Sequence, residues 1–172
     1  MPGPNTSVGF GLATVEADTT ALTLRLTASF NALTGGVTGA QIHCCTLSPG
    51  TGTAIAASPI PYYPGFPTAF GGTYDQTFDA TLAGTYNTAF VTANGGTPLS
   101  AFNALIAGLD IGRGYFDLQT AQYPGGEIRG FLTAVPEPSS VTLLALPLAA
   151  FALLRLRYDR ETQKRNSHGG IN

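Results

Sequence analysis

The chain contains few charged residues, and their scarcity limits the folds it can adopt. Asp, Glu, Lys and Arg make up 10% of the 172 residues, whereas an ordinary soluble domain contains about 25%. A helical bundle needs many such side chains on its solvent-facing surfaces, so this composition argues against one. The 22 glycines and 12 prolines, together with abundant threonine, favour short strands joined by turns.

Basic residues are especially scarce in the first 134 positions, which hold no lysine. This stretch carries three arginines, Arg25, Arg113 and Arg129, against seven acidic residues. Nucleic-acid binding depends on clustered Lys and Arg side chains. The sequence therefore predicts an acidic body that has no nucleic-acid partner.

Sequence patterns typical of enzymes are also missing. The chain has no Gly-x-Ser-x-Gly and no Cys-x-x-Cys motif, and His43 is the only histidine before residue 135. One histidine without further ligands at suitable spacing is a weak metal candidate, so we expect a structural role for His43. We predict no catalytic residue and no cofactor. The alternative is an enzyme in which acidic side chains converge, and the candidates are Asp75, Asp79, Asp117 and Glu127.

The two cysteines, Cys44 and Cys45, are adjacent. Neighbouring residues of a strand point to opposite faces, which makes a bridge between them geometrically awkward. The expected state is therefore two unpaired, buried or half-buried side chains. A strained vicinal disulfide and a metal or redox role are the alternatives.

Apolar and polar residues alternate most clearly between positions 21 and 30, which is the period of a half-buried strand. The whole pattern predicts an all-β fold, an antiparallel β-sandwich or barrel of six to eight short strands with one or two short helices. The predicted strands cover residues 8–15, 21–30, 38–43, 54–57, 73–82, 114–120 and 127–133. The predicted helices cover residues 86–93 and 99–107, with Gly108 as the cap of the second. The predicted core contains Leu22, Leu24, Leu26, Phe30, Ile42, Phe78, Phe116, Leu118, Ile128 and Leu132.

The composition changes after residue 134. A short proline-rich linker leads to an uncharged run over residues 141–154, and a basic end over residues 155–165 follows it. An apolar run flanked by bases predicts a transmembrane helix over about residues 141–156, with Arg155, Arg157 and Arg160 holding its end on the cytoplasmic side. We therefore divide the chain into a β-domain, residues 1–134, and a membrane tail, residues 135–172.

The tail resembles the PEP-CTERM sorting signal of Gram-negative bacteria, which consists of a Pro-Glu-Pro motif, a hydrophobic segment and a basic end. The motif here is Pro136, Glu137 and Pro138. The resemblance implies export by the secretion machinery and processing by an exosortase. It implies a transient stay in the inner membrane and a final place at the cell surface or in extracellular polymer. The stretch after Arg157 is longer than is usual for such signals, so an uncleaved inner-membrane anchor is the alternative.

The body resembles the CHRD domain over about residues 8–132. The most specific stretch is the closing signature, formed by Pro124, Gly125, Gly126, Glu127, Arg129 and Gly130. The family often has histidines where this chain has Gln41 and Gln119, so a metal site carried over from the family loses most of its ligands. The first seven residues do not form a signal peptide. We therefore expect an upstream start that encodes a signal peptide and one more strand.

The resemblance implies a non-catalytic surface module with a structural, adhesive or binding role. We expect polysaccharide or another surface protein as its partner. The expected contact is a mobile loop that carries Tyr62, Tyr63 and Phe66.

Overall fold

The computed structural model describes residues 5–135, and within them the chain forms two antiparallel three-stranded sheets with few short helices. The strands are β1 (Phe10–Asp18), β2 (Thr23–Asn31), β3 (Val37–His43), β4 (Gly72–Asp79), β5 (Tyr115–Thr120) and β6 (Ile128–Phe131). A 3₁₀ turn (Ala83–Thr85) and helices α1 (Thr88–Ala93) and α2 (Pro98–Asp110) lie between β4 and β5. The predicted all-β class is confirmed at this level.

The first sheet has the order β1-β2-β4, with β2 in the centre. Leu24, Leu26, Ala28 and Phe30 alternate along β2 and are buried, while the residues between them face outward. The β1–β2 hairpin closes where Asp18 Oδ1 accepts hydrogen bonds from the amides of Thr20 and Ala21. The period-two pattern of the sequence thus correctly predicts which face of β2 is buried.

The second sheet has the order β3-β5-β6, with β5 in the centre. Ile42, Phe116 and Leu118 point from it into a core that it shares with the first sheet. Helices α1 and α2 contribute Phe90, Phe102 and Leu105 to the same core. Six of the ten predicted core residues are buried: Leu24, Leu26, Phe30, Ile42, Phe116 and Leu118. The other four are partly buried and pack against the core: Leu22, Phe78, Ile128 and Leu132.

Helix α2 differs from its predicted bounds because Gly108 does not end it. Thr97 caps its beginning in a reciprocal pair with Ser100, and Pro98 occupies the first turn. The helix continues through Gly108 to Asp110, and Gly112, with φ of +68°, follows its end. The predicted strand over residues 54–57 is also wrong as a strand, because only an isolated bridge pairs Ala56 with His43.

Cys44 and Cys45 form a disulfide with each other, so the expectation of two unpaired thiols is wrong. Strand β3 ends at His43, so Cys44 and Cys45 lie beyond the strand. Their side chains therefore need not point to opposite faces of the sheet. Both sulfurs lie against Gly108 of α2.

Within residues 5–135, no helix combines the length and the apolar character needed to cross a membrane. The predicted membrane helix, the sorting motif and the basic end lie outside the described residues, as do residues 1–4.

Candidate functional site

The polar residues of interest lie on the outer face of the second sheet, opposite the core. Strand alternation that sends Ile42 and Phe116 inward sends His43, Tyr115 and Asp117 to this outer face. Residues 44–62, which we call the covering loop, are bonded to this part of the sheet. The amide of Ala57 donates to Ile42 O, and the amide of Ala40 donates to Pro61 O.

His43 lies at the end of β3 and makes three defined contacts. Its Nδ1 is 2.9 Å from the carbonyl oxygen of Ala54 in the covering loop. Its Nε2 is 3.2 Å from Asp117 Oδ1 on β5, and the two side chains are only 12% and 5% exposed. Its ring stacks on Tyr115, with the centroids 4.6 Å apart. His43 is therefore a half-buried histidine whose Nδ1 lies against a carbonyl oxygen, whose Nε2 faces a carboxylate and whose ring stacks on a tyrosine.

Arg129 of β6 approaches the same tyrosine. Its guanidinium carbon is 3.4 Å from the centroid of the Tyr115 ring, a cation–π contact. Its Nη2 donates to Gly52 O in the covering loop. Because β5 lies between β3 and β6, the imidazole and the guanidinium approach Tyr115 from opposite sides.

Gln41 and Gln119, which the sequence analysis singled out, bind each other. Gln119 Nε2 donates to Gln41 Oε1 at 3.2 Å, and Gln41 Nε2 donates to Pro61 O at 2.9 Å. Residues 5–135 contain no group of three or more His, Cys, Asp or Glu side chains arranged to hold a metal ion. The donor set around His43 therefore does not fit a transition-metal site, which needs several imidazole, thiolate or carboxylate ligands.

The signature residues fall into a turn and a strand with distinct roles. Pro124 and Gly125 are exposed in the β5–β6 turn. Gly126 has a φ of +113°, a conformation that favours glycine. Glu127 is buried, Arg129 contacts Tyr115, and Gly130 is exposed in β6.

Glu127 joins three segments that are distant in sequence. Its Oε1 accepts from Ser7 Oγ at 2.6 Å and from the Thr34 amide at 2.7 Å. Its Oε2 accepts from Thr34 Oγ1 at 2.8 Å and from Thr120 Oγ1 at 2.6 Å. Burial by itself raises the pKa of this carboxyl, but the hydrogen bonds together outweigh it, and the net pKa lies below the ordinary value. Glu127 thus fastens the N-terminal segment and the β2–β3 connection to β5.

The four acidic side chains proposed as candidates for an enzyme do not share a hydrogen-bond partner. Asp75 pairs with Arg25 on the exposed face of the first sheet, at 2.7 Å. Asp79 binds the amide and hydroxyl of Thr81. Asp117 faces His43, and Glu127 binds hydroxyls and one amide as described above.

The aromatic loop predicted to be mobile and to contact a ligand is packed into the core. Tyr63 and Phe66 are buried, and Tyr62 is half-buried. Tyr63 Oη donates to Thr85 O at 3.1 Å, and burial raises its pKa. The expectation that these side chains are available to a polysaccharide is wrong for Tyr63 and Phe66, because they pack against Phe78 and Phe30.

A cleft of about 650 Å³ lies between β1 and β6. Each strand is at the edge of its sheet. Ile128 Cδ1 would lie 3.1 Å from a Cβ placed on Gly11, so the two strands are neighbours across the cleft. Phe10 and Leu12 on its rim are 64% and 73% exposed.

The remaining predicted site residues lie outside the described residues. They are the motif residues Pro136, Glu137 and Pro138 and the arginines Arg155, Arg157 and Arg160.

Sequence reasoning did not find the partners that give His43 and Glu127 their roles. Tyr115 and Asp117 reach His43 only through the pairing of β3 with β5. No sequence pattern distinguishes Ser7, Thr34 and Thr120 from other serines and threonines of the chain. A glutamate directly after a Gly-Gly turn was the single sequence signal that pointed to this network.

The comparisons with known proteins agree with the resemblance of the body. The CHRD domain family matches residues 1–132. Curated proteins and solved structures gave no match. Because the family match spans well over half of the chain, this chain belongs to the CHRD domain family.

Proposed function

We propose that this chain is an exported, non-catalytic CHRD-domain protein that an exosortase sorts to the cell surface or extracellular polymer. The observation that carries the proposal is the order of features in the sequence. A compact unit ends at Ala134, and the Pro-Glu-Pro motif, the uncharged run over residues 141–154 and the basic end follow directly.

The charge distribution supports a defined orientation of the tail. Carrying Arg155, Arg157 or Arg160 through hydrocarbon would cost about 3 kcal/mol each. They therefore stay in the cytoplasm, and the motif at residues 136–138 lies on the opposite side. Both prolines fix their own φ and favour extended backbone before them, which is the form in which peptides enter a processing site.

The disulfide supports export. Cys44 and Cys45 are joined, and disulfides persist in oxidising compartments such as the periplasm and the cell exterior. A body that lacks lysine and clustered arginine suits a surface module better than a nucleic-acid-binding protein.

A structural, adhesive or binding role fits the described chemistry better than catalysis. Glu127 holds three segments together, and Arg129 holds the covering loop. Of the other acids, Asp75 and Asp79 have separate partners on the exposed side of the first sheet. Polysaccharide or another surface protein remains the proposed partner.

The experiment is mass spectrometry of the mature protein from its native host, in the surface and membrane fractions. We expect the wild-type surface form to end near residues 136–139. Glu137→Ala should retain the full C-terminus and accumulate in the membrane fraction. Glu161→Ala, which changes a tail glutamate beyond the first basic residues, is the matched control and should be processed normally.

A wild-type surface protein that still ends at Asn172 would contradict the sorting proposal. An uncut chain found only in the membrane fraction would favour the alternative, an inner-membrane-anchored protein whose tail is not cleaved.

A further inference from the structure

The covering loop is held by side chains from all three strands of the second sheet, and each bond ends on a loop carbonyl. His43 on β3 reaches Ala54 O, Tyr115 on β5 reaches the same oxygen at 3.4 Å, and Arg129 on β6 donates to Gly52 O. The position of the loop therefore depends on the polar groups beneath it.

The contacts of His43 determine where its protons lie. A backbone carbonyl can only accept, so the short contact with Ala54 O places a proton on Nδ1. In a neutral ring, Nε2 would then be a bare acceptor that faces Asp117 Oδ1 at 3.2 Å. An ionised carboxylate also only accepts. The contact is favourable only when a second proton lies between these two atoms.

The proton on His43 Nε2 has one acidic side chain close to it. Among residues 5–135, Asp117 is the acidic side chain within 4.0 Å of His43. A described cation, Arg129, contacts the Tyr115 ring from the far side. The loop contributes carbonyls at Ala54 and Gly52 and no ionisable side chain in these contacts. The adjacent Cys44–Cys45 disulfide does not titrate.

We propose that His43 and Asp117 form a protonation-dependent latch that holds the covering loop closed. In the closed state, the imidazolium donates through Nε2–H to Asp117 Oδ1 and through Nδ1–H to Ala54 O. When the pH rises, hydroxide removes the Nε2 proton as water, and the electron pair stays on Nε2. This lone pair then faces the carboxylate, the ring turns away from Asp117, and its bond to Ala54 is lost. The loop therefore opens when this proton is lost as the pH rises.

The first test is a long-range ¹H–¹⁵N correlation spectrum of the full-length chain, with His43 assigned by comparison with His168→Gln. At about pH 5.5, near the acidic end of the range in which histidines usually change charge, both ring nitrogens of His43 should have imidazolium shifts. A neutral ring with a bare Nε2 at this pH would overturn the proposal, and this measurement needs no destabilising variant.

The second test is amide hydrogen exchange at two backbone hydrogen bonds that the loop makes. The reporters are the amide of Cys44, which donates to Ile55 O, and that of Ala57, which donates to Ile42 O. After correction for intrinsic exchange, both should exchange about tenfold faster at about pH 8.5 than at pH 5.5, as expected for the loss of one charge-assisted hydrogen bond. Amides of β2 should not change.

Asp117→Asn separates the latch from a general effect of pH. The carboxamide can donate to a bare Nε2, so the loop should stay closed and the two reporter amides should be insensitive to pH. Asp75→Asn, which alters an exposed carboxylate on the other sheet, should keep the wild-type response. A pH response in Asp117→Asn equal to that of the wild type would refute the latch.

Discussion

Gly108 lies in helix α2 at the point where the helix meets the disulfide. A Cβ placed on it would lie closer than 3.0 Å to the sulfurs of both Cys44 and Cys45, a separation that real Cβ atoms essentially never show. Optimal contacts between heavy atoms of this kind are about 3.5–4.0 Å, so Gly108→Ala requires a displacement of at least roughly 0.5–1 Å. The two sulfurs are bonded to each other and cannot rotate away separately.

Two opposing terms decide the effect of Gly108→Ala on the free energy of unfolding. Replacing glycine by alanine inside a helix stabilises it by about 1 kcal/mol. Overpacking a well-filled site costs about 1–3 kcal/mol, occasionally more, and the rigid disulfide favours the upper end. We expect a net loss of about 2 kcal/mol, which lowers the melting temperature of a body of this size by roughly 6–10 °C.

Thermal and urea unfolding of the purified chain, followed by circular dichroism, would measure this loss. Gly84→Ala is the control, because a Cβ at Gly84 meets no atom within 4 Å. The decisive measurement is a double-mutant cycle with Cys44→Ala and Cys45→Ala together. Without the sulfurs, the remaining tight contact of the added methyl group is with the Cβ of residue 45, at 3.3 Å, so most of the loss caused by Gly108→Ala should disappear. If it destabilises both backgrounds equally, the disulfide is not what requires glycine at this position.

Three further predictions concern the core, the buried carboxylate and metal binding. Leu24 is fully buried, so Leu24→Asp should unfold the domain, because an unpaired buried charge costs several kcal/mol, about the stability of a small domain; a cooperative unfolding transition in this variant would contradict the assigned core. The pKa of Glu127 is lower in the folded state than its ordinary value of 4.5, so its contribution to stability is present above that pH and is lost as the pH falls through the folded value. Glu127→Gln should flatten this acid dependence in urea titrations, and an unchanged slope would count against the network. Elemental analysis of tag-free protein should find no stoichiometric Zn²⁺ or Cu²⁺. Stoichiometric metal that is lost in His43→Ala would instead show a metal site at His43.

The sequence by itself determined most of the strands and the second helix. Alternation of apolar and polar residues is a local property of the backbone, and it located β2 together with the buried side chains of Leu24, Leu26 and Phe30. Pro98 marked the start of α2 for an equally local reason, because its fixed φ suits a first helical turn. The closing signature identified the family, and the match over residues 1–132 agrees with it.

Tertiary structure alone decided the roles of the residues between these elements. Gly108 has the sequence context of a helix cap, but the disulfide that packs on it comes from the end of β3. In the sequence, Asp117 is one of four dispersed acidic candidates, and only the pairing of β5 with β3 sets it against His43. Tyr63 and Phe66 look like exposed loop residues until the core covers them. In each case the deciding contact joins residues far apart in the chain, and local periodicity carries no information about which distant segments pack together.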